Sequence, residues 1–296
     1  MRHAILGAGG VGGLIGAVLA HQGDQVTLLL RPETLGQHPS YLRLEGPFGN
    51  FQAPVRTDAK LREPVDVLWV TVKAHQLVAA LQAVPRNGPG PRIVTVVPLL
   101  NGIDHVPLLR RSFNHECVVP GTIAVESERV APGHIIQRSP FVRLALSATG
   151  ERQMEGIAGR LRHLGFSCEF QTDEKTMLWS KLAFLAPFAL ATTAGNKSKQ
   201  EIFADPVWRA RLELTVREAC AVAAAEGASV DQLKIQAMIE GLPATMRSSM
   251  QKDVSAGRIP EIDAIGGPIV RAGRIHGIDV PTTRELIARI EDRLRH

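Results

Sequence analysis

The chain has 296 residues, of which 45% are hydrophobic, 21% charged and only 4% aromatic, with a formal net charge of +5 and a pI near 9.4. That length and apolar content are enough to bury a substantial core, and they suit two domains rather than one. Basic residues are scattered rather than clustered and aromatics are few, which argues against a nucleic-acid surface, whereas anionic small molecules account for the excess positive charge.

An apolar strand at residues 3–6 runs into Gly7-Ala8-Gly9-Gly10-Val11-Gly12, and helical spacing follows over residues 11–21 with Leu14, Val18 and Leu19 on one face. Strand, glycines and helix in that order within about 30 residues form a dinucleotide-binding signature, against which a plain glycine turn is the bland alternative. Gly7 makes the tight turn, Gly9 lets backbone N–H groups approach a pyrophosphate, and Gly12 lets the helix pack closely on the sheet. The diphosphate is expected on the helix N-terminus. A second strand, residues 25–30, ends on Arg31, 19 residues after Gly12. NAD-preferring folds place an acid there, whereas a guanidinium suits the 2′-phosphate of NADP, so NADPH is the expected cofactor. Glu33 competes for the role but follows Pro32 in a loop.

Residues 41–54 alternate around Gly46-Pro47 and Gly49-Asn50 and predict a hairpin at the sheet's edge. Buried strands follow at 65–72 and 92–97, with helical spacing at 76–84 and 106–113. Their C-terminal ends, at Lys73 and at Asn101-Gly102, are expected in the cofactor crevice beside the glycine loop. Further strands are predicted at 117–125, 134–137, 141–146 and 167–171. This alternation implies an α/β, Rossmann-type doubly wound parallel sheet over residues 1–172. From 173 to 296 only helical spacing remains, at 176–193, 208–226, 230–239, 262–276 and 283–295, implying an all-α second domain. The longest apolar run, residues 182–191, contains Pro187 and is too short to cross a bilayer, and the N-terminus enters a strand at once; the expectation is a cytoplasmic protein without membrane association. Cys117, Cys168 and Cys220 stand far apart with no CxxC, HxH or HExxH nearby, so neither a disulfide framework nor a metal site is expected.

Lys181 is the sole charge among residues 177–186. A lysine held in apolar surroundings has a depressed pKa, which suits a proton donor working near neutrality, while a snorkelling core-helix lysine is the alternative. Glu261 follows Pro260 at a helix start, where an acid also favours the dipole. Ser248 and Ser249 read as ordinary polar positions. A homodimer is left open, because an amphipathic face buries equally well within a domain or between subunits.

Taken together, Gly7 to Gly12, Thr71-Val72-Lys73-Ala74, Asn101-Gly102, Gly121-Thr122, Trp179-Ser180-Lys181-Leu182, Ser248-Ser249-Met250-Gln251-Lys252-Asp253 and Glu261-Ile262-Asp263 with Gly266-Gly267 resemble the ketopantoate reductase family. The similarity runs over residues 1–281. It implies an N-terminal Rossmann domain, a helical C-terminal domain and NADPH-dependent reduction of 2-dehydropantoate, a 2-oxo acid, to (R)-pantoate in pantothenate synthesis. The resemblance makes Lys181 the general acid and Glu261 a catalytic-site partner that holds the substrate hydroxyl. It assigns the substrate carboxylate to Ser249, and nicotinamide and substrate to Asn101. Arg31 and Lys73 then lie around the 2′-phosphate, and Thr122 joins Gly7, Ala8, Gly9, Gly10, Val11 and Gly12 in the cofactor-binding set. The family's lysine helix carries asparagines where this chain has Leu185 and Ala189, and a third where it has Met246, so a less polar 2-oxo acid or ketone is the first alternative. The β-hydroxyacid dehydrogenases expect an Asn at Leu185. A non-catalytic dinucleotide-binding regulator is the alternative from another class.

Overall fold

The structure, a computed structural model, describes residues 1–85 and 90–295. It divides into two compact units, Met1–Leu100 with His105–Glu174, and Asn101–Asp104 with Lys175–His296.

The first unit is built on a parallel sheet of five strands in the order Arg56–Asp58, Gln25–Leu29, Arg2–Leu6, Val65–Val70 and Ile93–Pro98. Its central strands are covered on both faces, which is why they read as continuous apolar runs. Ile5, Leu28, Val67 and Trp69 enter one core with Leu14, Val18 and Leu19 of the helix Gly10–His21. Ala4, Leu6, Leu29, Leu68 and Val70 enter the opposite core with Leu77, Leu81 and Leu109. The chain winds outward from Arg2–Leu6 first to one side and then to the other, so the glycine loop that leaves this strand stands at the switch point where open α/β sheets bind ligands.

The sheet stops at Ile93–Pro98. The hairpin expected at residues 41–54 is present, as Tyr41–Glu45 paired antiparallel with Phe51–Pro54, but it does not extend the parallel sheet. It belongs to a separate four-stranded sheet ordered Phe51–Pro54, Tyr41–Glu45, His134–Gln137 and Ser127–Ala131. This sheet lies on the helix Gly10–His21, where a Cβ on Gly13 would stand 2.3 Å from Ile135 Cδ1 and one on Gly16 3.1 Å from Leu42 Cδ1. A third sheet holds Ser167–Gln171, Arg143–Ser147 and Gly121–Ala124. Alternation reveals a strand but not the sheet it joins, which explains the misplaced hairpin. Ser127–Ala131 and Arg56–Asp58 have mostly exposed or half-buried residues and gave no apolar signal. The helix expected at 76–84 is instead one α-turn, Leu77–Ala80, between the 3-10 turns Ala74–Gln76 and Leu81–Ala83.

The second unit packs helices around Glu174–Gly195. That helix is long and apolar enough to cross a membrane, but 72% of its most apolar stretch is buried within the protein. Leu182, Ala186 and Leu190 meet Val216 and Ala219 of the helix Pro206–Ala225, Ile269 of Gly267–His276 and Leu286 of Pro281–Arg295 in one core. The helix expected at 262–276 breaks at Gly266 into Ile262–Ile265 and Gly267–His276. Lys199–Ala204 and Ser249–Ser255 escaped the apolar period because they are short; each is announced instead by a capping serine, Ser198 and Ser248. Buried Glu218 accepts from Thr282 N (2.9 Å), Thr283 N (2.8 Å) and Thr283 Oγ1 (2.6 Å), fixing the start of the last helix. Glu218→Ala is expected to lower the unfolding free energy by about 2–3 kcal/mol, because three donors lose a charged acceptor. Urea denaturation followed by circular dichroism checks this, and a change within error would contradict the cap.

Candidate active site

Gly7 leaves the first strand at φ +106°, where a Cβ would stand 2.6 Å from Val72 N. A side chain is therefore excluded both by conformation and by space. At Gly12 a Cβ would lie 2.2 Å from Gly7 O and 2.3 Å from Thr71 Oγ1, and that hydroxyl donates to Gly7 O at 2.7 Å. The segment Thr71-Val72-Lys73 is thus tied to the glycine loop, with Lys73 half-buried ahead of the turn Ala74–Gln76.

At Gly9, by contrast, a Cβ would meet nothing within 4 Å. Gly9 precedes the helix Gly10–His21 without a side-chain cap, and no acid stands in the first turn. Open space, uncapped N–H groups and the positive end of the helix dipole together suit a diphosphate. Gly10 has a further role that the motif did not reveal: its Cβ would fall 2.1 Å from Ser127 O, and Ser127 Oγ donates to Gly10 O at 3.0 Å. Ala8 is buried and Val11 is packed against the core.

Arg31 follows the second strand and precedes the short helix Pro32–Leu35. Its side chain is 75% exposed, with Nε 3.6 Å from Glu33 Oε1. An exposed pair of this kind separates at little cost, leaving the guanidinium available to a phosphate. Thr122 is half-buried opposite Ala145, and its neighbour Gly121 stands where a Cβ would be 3.0 Å from Leu99 Cδ2.

In the second unit, Lys181 lies in the first half of the helix Glu174–Gly195, flanked by Trp179, Leu182 and Ala183 of the core. Burial pushes its ammonium down to about 8, and the charge of Glu261 pulls the other way. The residue is half-buried on this helix. Glu261 stands at the N-cap position of Ile262–Ile265, yet its side chain makes no capping bond there. Instead Oε2 accepts from Asn101 Nδ2 at 3.0 Å.

The contacts of Asn101-Gly102 join it to the Glu261 segment. Gly102 has φ +80°, and a Cβ on it would fall 2.2 Å from Ala264 O. The two serines separate cleanly. Ser248 is buried, its Oγ accepting from Gln251 N (3.1 Å) and from Thr192 Oγ1 (2.9 Å), so it is a helix cap. Ser249 is exposed as the first residue of the helix Ser249–Ser255. Leu185 and Met246 are half-buried against the helical core, and Ala189 is sealed within it. Among the described residues no group of three or more His, Cys, Asp or Glu could hold a metal ion.

The sequence profile of the family described as ketopantoate reductase PanE/ApbA matches residues 3–148, and that of its C-terminal domain matches residues 173–293. A 2-dehydropantoate 2-reductase of Caulobacter vibrioides is 31% identical over 295 residues, covering 96% of each chain. Among solved structures, a PanE/ApbA family ketopantoate reductase from Ralstonia eutropha JMP134 superposes with a TM-score of 0.86 at 26% identity, covering all of both chains. D-mandelate dehydrogenase, solved with NADH and anilino(oxo)acetate, shares the fold at a TM-score of 0.86 and 23% identity, again over all of both chains.

Loss of the Ser248 cap by Ser248→Ala is expected to cost about 1 kcal/mol of stability, whereas Ser249→Ala should leave the melting temperature within error. Thermal denaturation of both variants checks the division of roles, and equal losses would contradict it.

Proposed function

Since the chain belongs to the ketopantoate reductase family, an oxidoreductase family acting on CH–OH groups, we propose that it reduces 2-dehydropantoate to (R)-pantoate with NADPH. The observation that carries this reading is a lysine that burial lowers to about 8 against the opposing charge of the Glu261 carboxylate, which is itself held by an asparagine. When bound, NADPH supplies a hydride from nicotinamide C4 to the C2 carbonyl carbon of the substrate. The carbonyl π pair withdraws onto oxygen, and Lys181 stabilises that charge and donates the proton that completes the alcohol. Water then returns a proton to Lys181. Glu261 holds the substrate hydroxyl, Asn101 fixes Glu261 through its amide, and Ser249 at a helix start takes the carboxylate. Gly9 and the uncapped amides behind it receive the diphosphate, while Arg31 and Lys73 take the 2′-phosphate.

Leu185, Ala189 and Met246 favour a second reading, a less polar 2-oxo acid on the same machinery. Three apolar groups supply no donors for a hydroxyl, and a site lacking such donors discriminates weakly in its favour. Steady-state rates across a series of oxo acids distinguish the two: ketopantoate should give the highest kcat/KM on the first reading, a less hydroxylated acid on the second.

Lys181→Met is expected to lower kcat about 10²- to 10⁴-fold with NADPH affinity nearly unchanged. Because it removes a charge that burial disfavours, the same variant should gain about 1–3 kcal/mol of stability. Retained turnover would remove Lys181 from the mechanism. Arg31→Ala should weaken NADPH binding about 10-fold and NADH binding little; equal weakening, measured by fluorescence titration, would contradict the 2′-phosphate assignment.

A further inference from the structure

A second tie joins the two chain segments that carry Asn101 and Glu261. Arg271, on the helix Gly267–His276, donates from Nη1 to Asp263 Oδ1 at 2.5 Å and from Nη2 to the carboxylate of Asp104, with Asp263 O 3.3 Å from Nη2. Asp104 lies three residues after Asn101, and Asp263 lies two after Glu261. One planar guanidinium therefore spans both segments, and its two-pronged geometry fixes direction as well as distance.

Gly267 makes room for this bridge. Asp263, Gly267 and Arg271 follow one another at four-residue intervals, and a Cβ on Gly267 would lie 2.5 Å from Asp263 Oδ1 and 2.6 Å from both terminal nitrogens of Arg271. The same two segments also touch at Gly102, where a Cβ would fall 2.2 Å from Ala264 O. The guanidinium and both aspartates are substantially exposed, and an exposed ion pair adds little to stability. Its consequence is geometric.

We propose that Arg271 is a positioning residue which, by bridging Asp104 to Asp263, sets the spacing of Asn101 and Glu261 and so fixes the carboxylate that acts on Lys181. Chemically, the bridge holds the hydroxyl-binding part of the site in register with the proton donor. This builds on the reading of Lys181 and Glu261 as an oxo-acid site.

The test compares Arg271→Met, Arg271→Lys and Gly267→Ala in the full chain, measuring kcat, KM for the oxo acid, KM for NADPH and Tm. Arg271→Met should raise the oxo-acid KM and lower kcat, for a combined loss of about 10- to 100-fold in kcat/KM, while KM for NADPH and Tm stay close to wild type. Gly267→Ala keeps every charge but crowds the bridge, and should act in the same direction. Arg271→Lys reaches one carboxylate rather than both and should restore part of the loss. An unchanged kcat/KM in Arg271→Met overturns the proposal, and so does a general loosening that raises both KM values and lowers Tm. A readout independent of turnover is the NMR titration of labelled Lys181, which should move to lower pH in Arg271→Met as Glu261 is released; an unmoved titration overturns the bridge. Wild-type protein that turns over no oxo acid would sink the functional reading instead, leaving the NMR titration to decide on Arg271.

Discussion

An ammonium drawn out of water stays charged only if something compensates its lost hydration. Lys181 stands half-buried as the sole charge among residues 177–186 of the helix Glu174–Gly195. Burial lowers its pKa from 10.5 to about 8, a net fall that already includes the opposing charge of Glu261. Glu261 in turn accepts from Asn101 rather than capping its own helix. The arrangement of the second unit near Lys181 follows from this constraint: a packed helix core to desolvate the lysine, and a carboxylate steadied from outside to keep it protonated near neutrality. Such a group costs stability, a trade that proton donors in enzymes commonly make and that the proposed role of Lys181 would explain.

The first unit meets a different constraint, the close approach of backbone to backbone. Gly7 and Gly12 leave no room for side chains against the Thr71-Val72 segment, and Gly10, Gly13 and Gly16 let a second sheet settle on the first helix. Gly9 alone among the loop glycines faces open space. The loop is therefore rigid where it joins the sheet and free where an anion would be received, without an acidic cap to repel it.

Much of this was readable in the residues. The strand, loop and helix at the start announce themselves because buried parallel strands give unbroken apolar runs and the glycines sit at fixed offsets. Lys181 stood out as the sole charge among residues 177–186. Sheet membership was not readable, because Tyr41–Glu45 shows the same alternation whether it extends the parallel sheet or pairs with His134–Gln137 ninety residues away. The partnership of Asn101 with Glu261 was equally hidden: both were named, but only folding brings residues 160 positions apart within 3.0 Å. Arg271 and Gly267 show the same limit, since an arginine on a polar helix face carries no mark in sequence of the two carboxylates that it bridges.

The most direct test of the account is the pH dependence of kcat/KM for oxo-acid reduction. A lysine that must be protonated to act, with a pKa of about 8, gives full activity below that value and a loss of about tenfold per pH unit above it. In Glu261→Gln the limb should move to lower pH, because the charge that raises the lysine is gone. A flat profile through pH 10, or a limb that stays in place when Glu261 is neutralised, would contradict the coupling of Lys181 and Glu261.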